Sequence, residues 1–281
     1  MSRLRMDAKV GELRPSQLLF SFGVGATVDL PNLSVMVMGL DDWDTTRSSQ
    51  IWEERLLTAV REQIGSQVER LLSPPQSPES EGFMSSFDAD TNVGVPVAPF
   101  PRWMLCPYCR LLSPLKSGLF QLKSDAFRPD RTAYVHVFCT KPGKAPIMLP
   151  ARFLLACECG HLDDFPWVTF VHKGDTDCRA LLRLREYGVS GEAADVEVQC
   201  DTCGAQRRMS DAFGQQGRKE MPECKGRLPH LRSYEENGCE EKMRPILLGA
   251  SNLWFPITLS TLAVPTKSNR LERGEEEHRG Q

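Results

Sequence analysis

The sequence lacks any long apolar run, since no stretch approaches the roughly 18 apolar residues that a membrane-spanning helix needs. No apolar segment follows the basic residues near the N-terminus, so we expect no secretory signal peptide. The formal net charge is -3, so any contact with nucleic acid must come from a local basic patch. These absences predict a cytoplasmic protein that does not bind a membrane.

Catalytic motifs are also missing, and the sequence has only five histidines. It contains no His-Glu-x-x-His, no zinc-deaminase pattern, no Ser-His-Asp motif, no Walker A loop and no dinucleotide-binding motif. We therefore expect a protein that is not an enzyme. Apolar residues make up 41% and charged residues 25% of the chain, a balance typical of a folded globular protein.

One acidic stretch leaves an enzymatic alternative open. Four residues could form the site of a zinc-dependent hydrolase or nuclease: Cys159, His161, Asp163 and Asp164. The structural interpretation is stronger, because Asp163 or Asp164 is placed to cap a helical turn near Pro166. Trp167 would then pack in the core.

Cysteine is what the sequence has in abundance, with ten in 281 residues. Disulfides rarely persist in a reducing cytosol, so clustered cysteines there more often bind metal. Cys106-x-x-Cys109 and Cys200-x-x-Cys203 are close pairs that a tight turn can direct at one ion. Because a structural zinc takes four ligands, chiefly thiolates, each pair needs two more. The sequence thus predicts two structural zinc sites.

The C-terminal pair has a clear supply of further ligands. The only later cysteines lie in loop-like sequence, so we predict a site of Cys200, Cys203, Cys224 and Cys239. Cys178 has no evident partner, and we interpret it as a buried apolar thiol.

The N-terminal pair has more candidates than it needs. The remaining ligands could come from Cys139, Cys157, Cys159 or His161. We favour a site of Cys106, Cys109, Cys139 and Cys157, and the alternative takes both Cys157 and Cys159.

A basic segment surrounds the later cysteines. It contains seven cations, Arg207, Arg208, Arg218, Lys219, Lys225, Arg227 and Arg232, against the three acids Asp211, Glu220 and Glu223. These cations could neutralise a zinc–thiolate site or contact nucleic-acid phosphates, and both roles could hold together. No recognition helix is evident, so we expect weak contacts with the DNA backbone and no base readout.

Composition divides the chain into five segments. We predict an N-terminal α/β unit (1–72), a Pro/Ser-rich linker (73–99), a first zinc-site region (100–172), a second zinc-site region (173–265) and a polar disordered tail (266–281). The predicted fold class is α+β, with a strand-poor, loop-rich region built on two zinc-ribbon-like sites of four cysteines each.

Apolar periodicity predicts a few individual elements. Residues 35–38 resemble a short buried strand, and residues 51–72 an amphipathic helix whose apolar stripe we expect to pack in the core. That stripe could instead bind a partner. Further strands are expected at 133–138, 194–198 and 253–262.

Several long strings resemble the DrmB family, the helicase-partner subunits of the DISARM anti-phage system. They are RPSQLLFSFGVGATVDLPNLSVMVMGLDDWD (14–44), ACECGHLDDFPW (156–167), RLREYGVSGEAADV (183–196) and RPILLGASNLWFPITLSTLAVP (244–265). The resemblance covers residues 11–270. Seven cysteines fall at cysteines of the family pattern: Cys106, Cys109, Cys157, Cys200, Cys203, Cys224 and Cys239.

The resemblance implies a zinc-binding accessory subunit that pairs with a large ATP-driven helicase and acts on phage DNA. Because family members are much longer, the chain is expected to be a C-terminally truncated or short variant. An inactive truncated remnant is the further alternative. The residues themselves leave oligomeric state and DNA strand preference open.

Overall fold

The computed structural model describes residues 9–75, 94–125, 127–187, 192–251 and 253–262. Most of the predicted linker and the whole predicted tail lie outside the described residues. The α-helices are α1 (Pro15–Phe20), α2 (Glu54–Ile64), α3 (Trp167–His172) and α4 (Gly214–Glu220). Short 3-10 helices occupy Leu40–Asp42, Thr45–Arg47, Leu115–Ser117, Pro129–Arg131, Ala193–Asp195, Met209–Ala212 and Pro229–Leu231.

The β-strands are short throughout the described ranges. In chain order they are β1 (Thr27–Leu30), β2 (Leu33–Val37), β3 (Gln50–Ile51), β4 (Leu71–Leu72), β5 (Val97–Pro99), β6 (Trp103–Leu105), β7 (Leu111–Pro114), β8 (Phe120–Lys123), β9 (Ala133–His136), β10 (Leu149–Pro150), β11 (Phe153–Ala156), β12 (Leu162–Asp164), β13 (Leu182–Glu186), β14 (Val196–Cys200), β15 (Gln206–Arg208), β16 (Arg227–Leu228), β17 (Ser233–Tyr234) and β18 (Arg244–Leu247).

These strands pair into small antiparallel sheets. The largest has the order β10-β6-β7-β13-β14-β15, and two three-stranded sheets have the orders β1-β2-β5 and β12-β11-β18. The pairs β3-β4, β8-β9 and β16-β17 complete the pairing among the described strands. The prediction of an α+β fold is confirmed. The six-stranded sheet takes strands from both sides of the boundary predicted at 172/173.

The N-terminal sheet contains the buried strand predicted at 35–38. All five residues of β2 are buried, because β1 and β5 flank its edges and its apolar side chains pack into two hydrophobic clusters. β5 lies at 97–99, so the end of the segment predicted as a linker pairs with this sheet.

The amphipathic helix predicted over 51–72 is wrong in extent and in burial. α2 spans Glu54–Ile64 and ends where Gly65 adopts a φ of +108°. The flanking residues instead form β3 and β4, which pair with each other. No residue of α2 is buried, and Trp52 beside it is 76% exposed. The apolar stripe therefore does not pack into the core.

The main hydrophobic core lies between the six-stranded sheet, β11 and α3. Phe153, Phe165 and Trp167 are fully buried there and pack edge to face or tilted, with ring centroids 4.7–6.1 Å apart. Val196 and Val198 of β14 point into the same core. This packing fixes the turns between β6 and β7, β11 and β12, and β14 and β15.

The other strand predictions have mixed outcomes. Those at 133–138 and 194–198 correspond to β9 and β14, with ends shifted by up to two residues. The strand predicted at 253–262 is wrong, because the described residues of that range pair with no strand. The chain instead pairs just before it, where β18 joins β11.

Candidate metal centres

Three groups of Cys and His side chains each bring four ligand atoms within 4.8 Å of one another. The first cluster is Cys106, Cys109, His136 and Cys139; the bridging cluster is Cys157, His161, Cys224 and Cys239; the inner cluster is His172, Cys178, Cys200 and Cys203. The structure therefore differs in number and composition from the predicted pair of four-cysteine sites. Each cluster has three thiols and one imidazole.

The turn between β6 and β7 supplies the first Cys-x-x-Cys pair. The Cys106 amide donates to the Leu111 carbonyl (2.8 Å), and the Arg110 amide donates to the Cys106 carbonyl (2.9 Å). Arg110 has a φ of +62°, and its Nε anchors it by donating to the Leu184 carbonyl at 2.8 Å. The turn folds back so tightly that both thiols face one side.

The turn between β14 and β15 repeats this geometry at the second pair. The Cys200 amide donates to the Ala205 carbonyl (2.7 Å), and the Gly204 amide donates to the Cys200 carbonyl (2.9 Å). Gly204 stands where the first turn has Arg110, with a φ of +77° that glycine adopts without steric cost.

A shorter turn between β11 and β12 supplies half of the bridging cluster. The Cys157 amide donates to the His161 carbonyl at 3.1 Å, which places both side chains at the base of the turn. Gly160 closes it with a φ of +88°.

The remaining ligands come from less regular segments. In the first cluster, Cys139 Sγ lies 3.8 Å from Cys106 Sγ, and His136 Nδ1 lies 3.5 Å from Cys109 Sγ. In the bridging cluster, His161 Nδ1 lies 3.3 Å from Cys157 Sγ and 3.5 Å from Cys224 Sγ.

The inner cluster is completed by the end of α3 and the loop after it. His172 Nε2 lies 3.3 Å from Cys203 Sγ, and Cys178 Sγ lies 3.8 Å from Cys200 Sγ. The interpretation of Cys178 as an isolated buried thiol is therefore wrong, since it is half-exposed and faces another ligand.

These separations suit a tetrahedral zinc ion. Zn–S bonds of about 2.3 Å and Zn–N bonds of about 2.0–2.1 Å imply S···S distances of about 3.8 Å and S···N distances of about 3.6 Å. The two S···S contacts described above are 3.8 Å long and the four S···N contacts 3.3–3.5 Å. None of the ten cysteines forms a disulfide. The donor sets thus fit a metal that prefers thiolate and imidazole.

Two of the three histidines are oriented by groups outside the clusters. His161 Nε2 lies 3.1 Å from a Glu235 carboxylate oxygen, and His172 Nδ1 donates to the Val168 carbonyl at 2.8 Å. Each contact leaves the other ring nitrogen facing the thiols. A histidine whose second nitrogen bonds a carboxylate or carbonyl is the usual arrangement around a bound metal.

Burial makes several of the thiols poor acids without a cation nearby. It raises the pKa of Cys106 to about 11 and that of Cys224 to about 12. Burial acts on Cys200 too, but the amides of Cys203 and Thr202 oppose it and lower that pKa to about 6. Burial also lowers the pKa of His136, favouring the neutral imidazole that binds metal. A dication would stabilise the thiolates that burial disfavours.

The structure regroups the predicted ligands. Cys139 lies with Cys106 and Cys109 as expected, but Cys157 does not, because the β11–β12 turn carries it to the bridging cluster. The pair Cys224 and Cys239 also joins the bridging cluster and not the inner one.

The sequence analysis missed His136 and His172, and it named His161 only as an alternative ligand of the first site. His136-x-x-Cys139 has the spacing of a Cys-x-x-Cys pair, and this signal could have identified the first cluster completely. Nothing in the sequence indicates which loops meet at the other two clusters.

Cys159 lies beside the bridging cluster but is not one of its four candidate ligands. It is exposed, and a hydrogen bond with the Cys239 thiol raises its pKa to about 11.

The seven cations that were predicted to contact nucleic acid differ in burial and in ion pairing. Arg207 and Arg227 are buried, and they pair with Glu220 and with Asp163. Arg232 donates to Asp42 at 2.6 Å. The other four are exposed and have no ion-pair partner in the described ranges: Arg208, Arg218, Lys219 and Lys225. A continuous basic surface over all seven is therefore not formed.

The acidic stretch is held by ion pairs. Asp164 accepts from the Arg102 amide (2.6 Å) through Oδ1 and from Arg102 Nε (2.8 Å) through Oδ2, and Arg227 Nη1 lies 3.2 Å from the same Oδ2. No side chain caps α3, so the capping role expected of the aspartates is wrong. Trp167 packs in the core as expected.

In the described ranges, no helix has the length and apolar character to cross a bilayer. Residues 14–255 match a family model described as a domain of unknown function, DUF8724. "DISARM protein DrmB" from Bacillus paralicheniformis is 25% identical over 243 residues, which are 86% of this chain. The chain spans 38% of that relative's length. These matches confirm the resemblance seen in the sequence.

Proposed function

The chain belongs to the DUF8724 family, and from this premise we propose that it is a non-catalytic, zinc-binding accessory subunit of a DISARM anti-phage defence complex. In that role it works in the cytoplasm, pairs with a helicase and contacts phage DNA. The observation that carries the proposal is the similarity to DrmB over 86% of the chain.

The clusters support a structural role for the metal. Three thiols and an imidazole fill all four positions of a tetrahedral zinc, which leaves none for a water or a substrate. Cys178 would hold zinc together with the Cys200-x-x-Cys203 turn, whereas His161 and Cys224 would hold a separate zinc together with Cys157 and Cys239. When bound, zinc supplies folding free energy to segments that have few other contacts.

The hydrolase alternative has less support. His161 faces Cys157 and Cys224 through one nitrogen and Glu235 through the other. Asp163 and Asp164 are engaged by Arg227. A general base needs a carboxylate or imidazole that can reach a substrate, and these groups are occupied.

A phage-plating assay tests the proposal. Cells carrying the complete defence locus would be compared with cells that lack this gene or carry Cys200→Ser or Cys159→Ser. We expect deletion and Cys200→Ser to abolish protection and Cys159→Ser to retain it, because Cys159 lies outside the four-ligand set. Unchanged protection after deletion would contradict the defence role.

Pairing with a helicase needs its own measurement. The full chain would be co-expressed with the helicase encoded beside it and purified through a tag on either protein. We expect both to elute as one complex, and separate elution at physiological salt would contradict the pairing.

A further inference from the structure

A basic cleft lies beside the bridging cluster and serves no metal ligand. Two adjoining depressions, with volumes of about 410 and 300 Å³, share Arg218 and Arg244 in their walls. The smaller depression is lined by the aliphatic parts of four cationic side chains, Arg218, Lys219, Lys242 and Arg244, and by no described carboxylate. We call these four residues the basic cleft.

Two separate segments bring these charges together. α4 supplies Arg218 and Lys219, and the residues leading into β18 supply Lys242 and Arg244. Lys242 Nζ donates to the Lys219 carbonyl at 2.9 Å, which ties the second segment to the end of α4. The cations thus converge through tertiary structure, and this explains why the sequence pattern identified only half of them.

The cleft has little internal compensation. Among the described residues Arg218 and Lys219 have no ion-pair partner, while Arg244 pairs with Glu158 in the wall of the larger depression. Glu158 is the one carboxylate among the described residues that line the two depressions. Like charges held this close repel each other, so an anionic ligand would stabilise the arrangement.

We infer that the basic cleft binds the phosphates of a nucleic-acid strand, an inference that rests on the DNA contact of the proposed function. Arginine offers a planar fork of donors that matches phosphate, and lysine adds mobile point charges. Arg218, Lys219, Lys242 and Arg244 are all exposed, so the cleft is open to a strand that passes over the surface. Cys157 also lines the larger depression, so metal at the bridging cluster would fix one of its walls.

The test measures the salt dependence of oligonucleotide binding by the full chain. Arg218→Ala combined with Lys219→Ala removes two cations from the cleft. The matched control, Arg208→Ala with Lys225→Ala, removes two exposed cations of the same basic segment that do not line it. On single-stranded DNA we expect the cleft variant to lose about 1.4 from the log–log salt slope, because each phosphate contact contributes about 0.7. The control variant should keep the parent's slope.

Zinc content and co-purification with the helicase are measured on every variant. If the salt slope falls equally in both double variants, or falls in neither, the basic cleft is not the site that binds the phosphates. If either outcome comes with intact zinc and intact pairing, the inference fails while the proposed subunit role stands.

A second arm separates a strand from a free phosphate. Inorganic phosphate and ATP are added at millimolar concentration and constant ionic strength. We expect neither to displace the oligonucleotide. Displacement by either one would overturn the nucleic-acid assignment and make the cleft a site for free phosphate.

Discussion

The first and inner clusters differ from the bridging cluster in the secondary structure that carries their ligands. Both are anchored on turns of the six-stranded sheet, where β6 meets β7 and β14 meets β15. The bridging cluster instead joins the β11–β12 turn to Cys224 and Cys239, which lie around the isolated β16–β17 pair. Metal would therefore bind at a turn between paired strands of the large sheet in two cases and would attach a separate segment in the third.

Loop length contributes little to this difference. Cys106 and Cys139 are 33 residues apart, and His161 and Cys224 are 63 apart. Doubling the length of a loop adds only about 0.6 kcal/mol to the cost of closing it. What differs is how much else holds each segment. Around the bridging cluster, the further ties include the ion pair of Arg227 with Asp163 and the hydrogen bond of Lys242 to α4.

The largest effect is expected from Cys224→Ser. It should remove one zinc ion and release the segment around β16 and β17, because a structural zinc contributes on the order of 10 kcal/mol to folding in small peptides. Limited proteolysis should cut the variant within residues 222–243 while the six-stranded sheet stays protected. If the variant resists cleavage there as well as the parent does, the bridging cluster does not hold this segment in place, and the proposed difference between the clusters is wrong.

A smaller effect is expected from Cys178→Ser. It should also cost one zinc ion, but hydrogen exchange should increase mainly around residues 173–181, because α3 and the β14–β15 turn hold the other three ligands. Cys159→Ser is the matched control and should retain all bound metal. Equal metal content in the parent and Cys178→Ser would contradict the assignment of Cys178 as a ligand.

The smallest effect is expected from Glu235→Gln, which weakens the contact that orients His161. Loss of such a partner typically lowers metal affinity about 10- to 100-fold, and only the bridging cluster should be affected. Competition with a chelator would measure it, with Glu236→Gln as the control. An affinity change at all three clusters would show that Glu235 acts on the fold and not on His161.

The sequence predicted those parts of the molecule that depend on neighbouring residues. The two Cys-x-x-Cys turns and the buried strand β2 follow from local spacing, and the structure contains both. The partners of each turn depend on which loops meet in space, so Cys157 was assigned to the wrong cluster. The bridging cluster encloses the inner one in sequence, and ligand order alone cannot reveal such nesting.

The apolar stripe around α2 shows the same limit. Its periodicity predicted a helix correctly in kind, since Glu54–Ile64 is helical. Periodicity cannot say what covers the apolar face, and Trp52 and Ile64 are exposed. The basic segment failed in a related way, because carboxylates distant in sequence, Asp163 and Asp42, pair with two of its arginines.

The central claim is that this chain holds three zinc ions, each bound by three cysteines and one histidine. Mass spectrometry of the purified full chain under non-denaturing conditions counts them directly. We expect a mass increase corresponding to three zinc ions, falling to two in Cys178→Ser and staying at three in Cys159→Ser. A folded, monodisperse parent that carries two zinc ions or none would contradict the account.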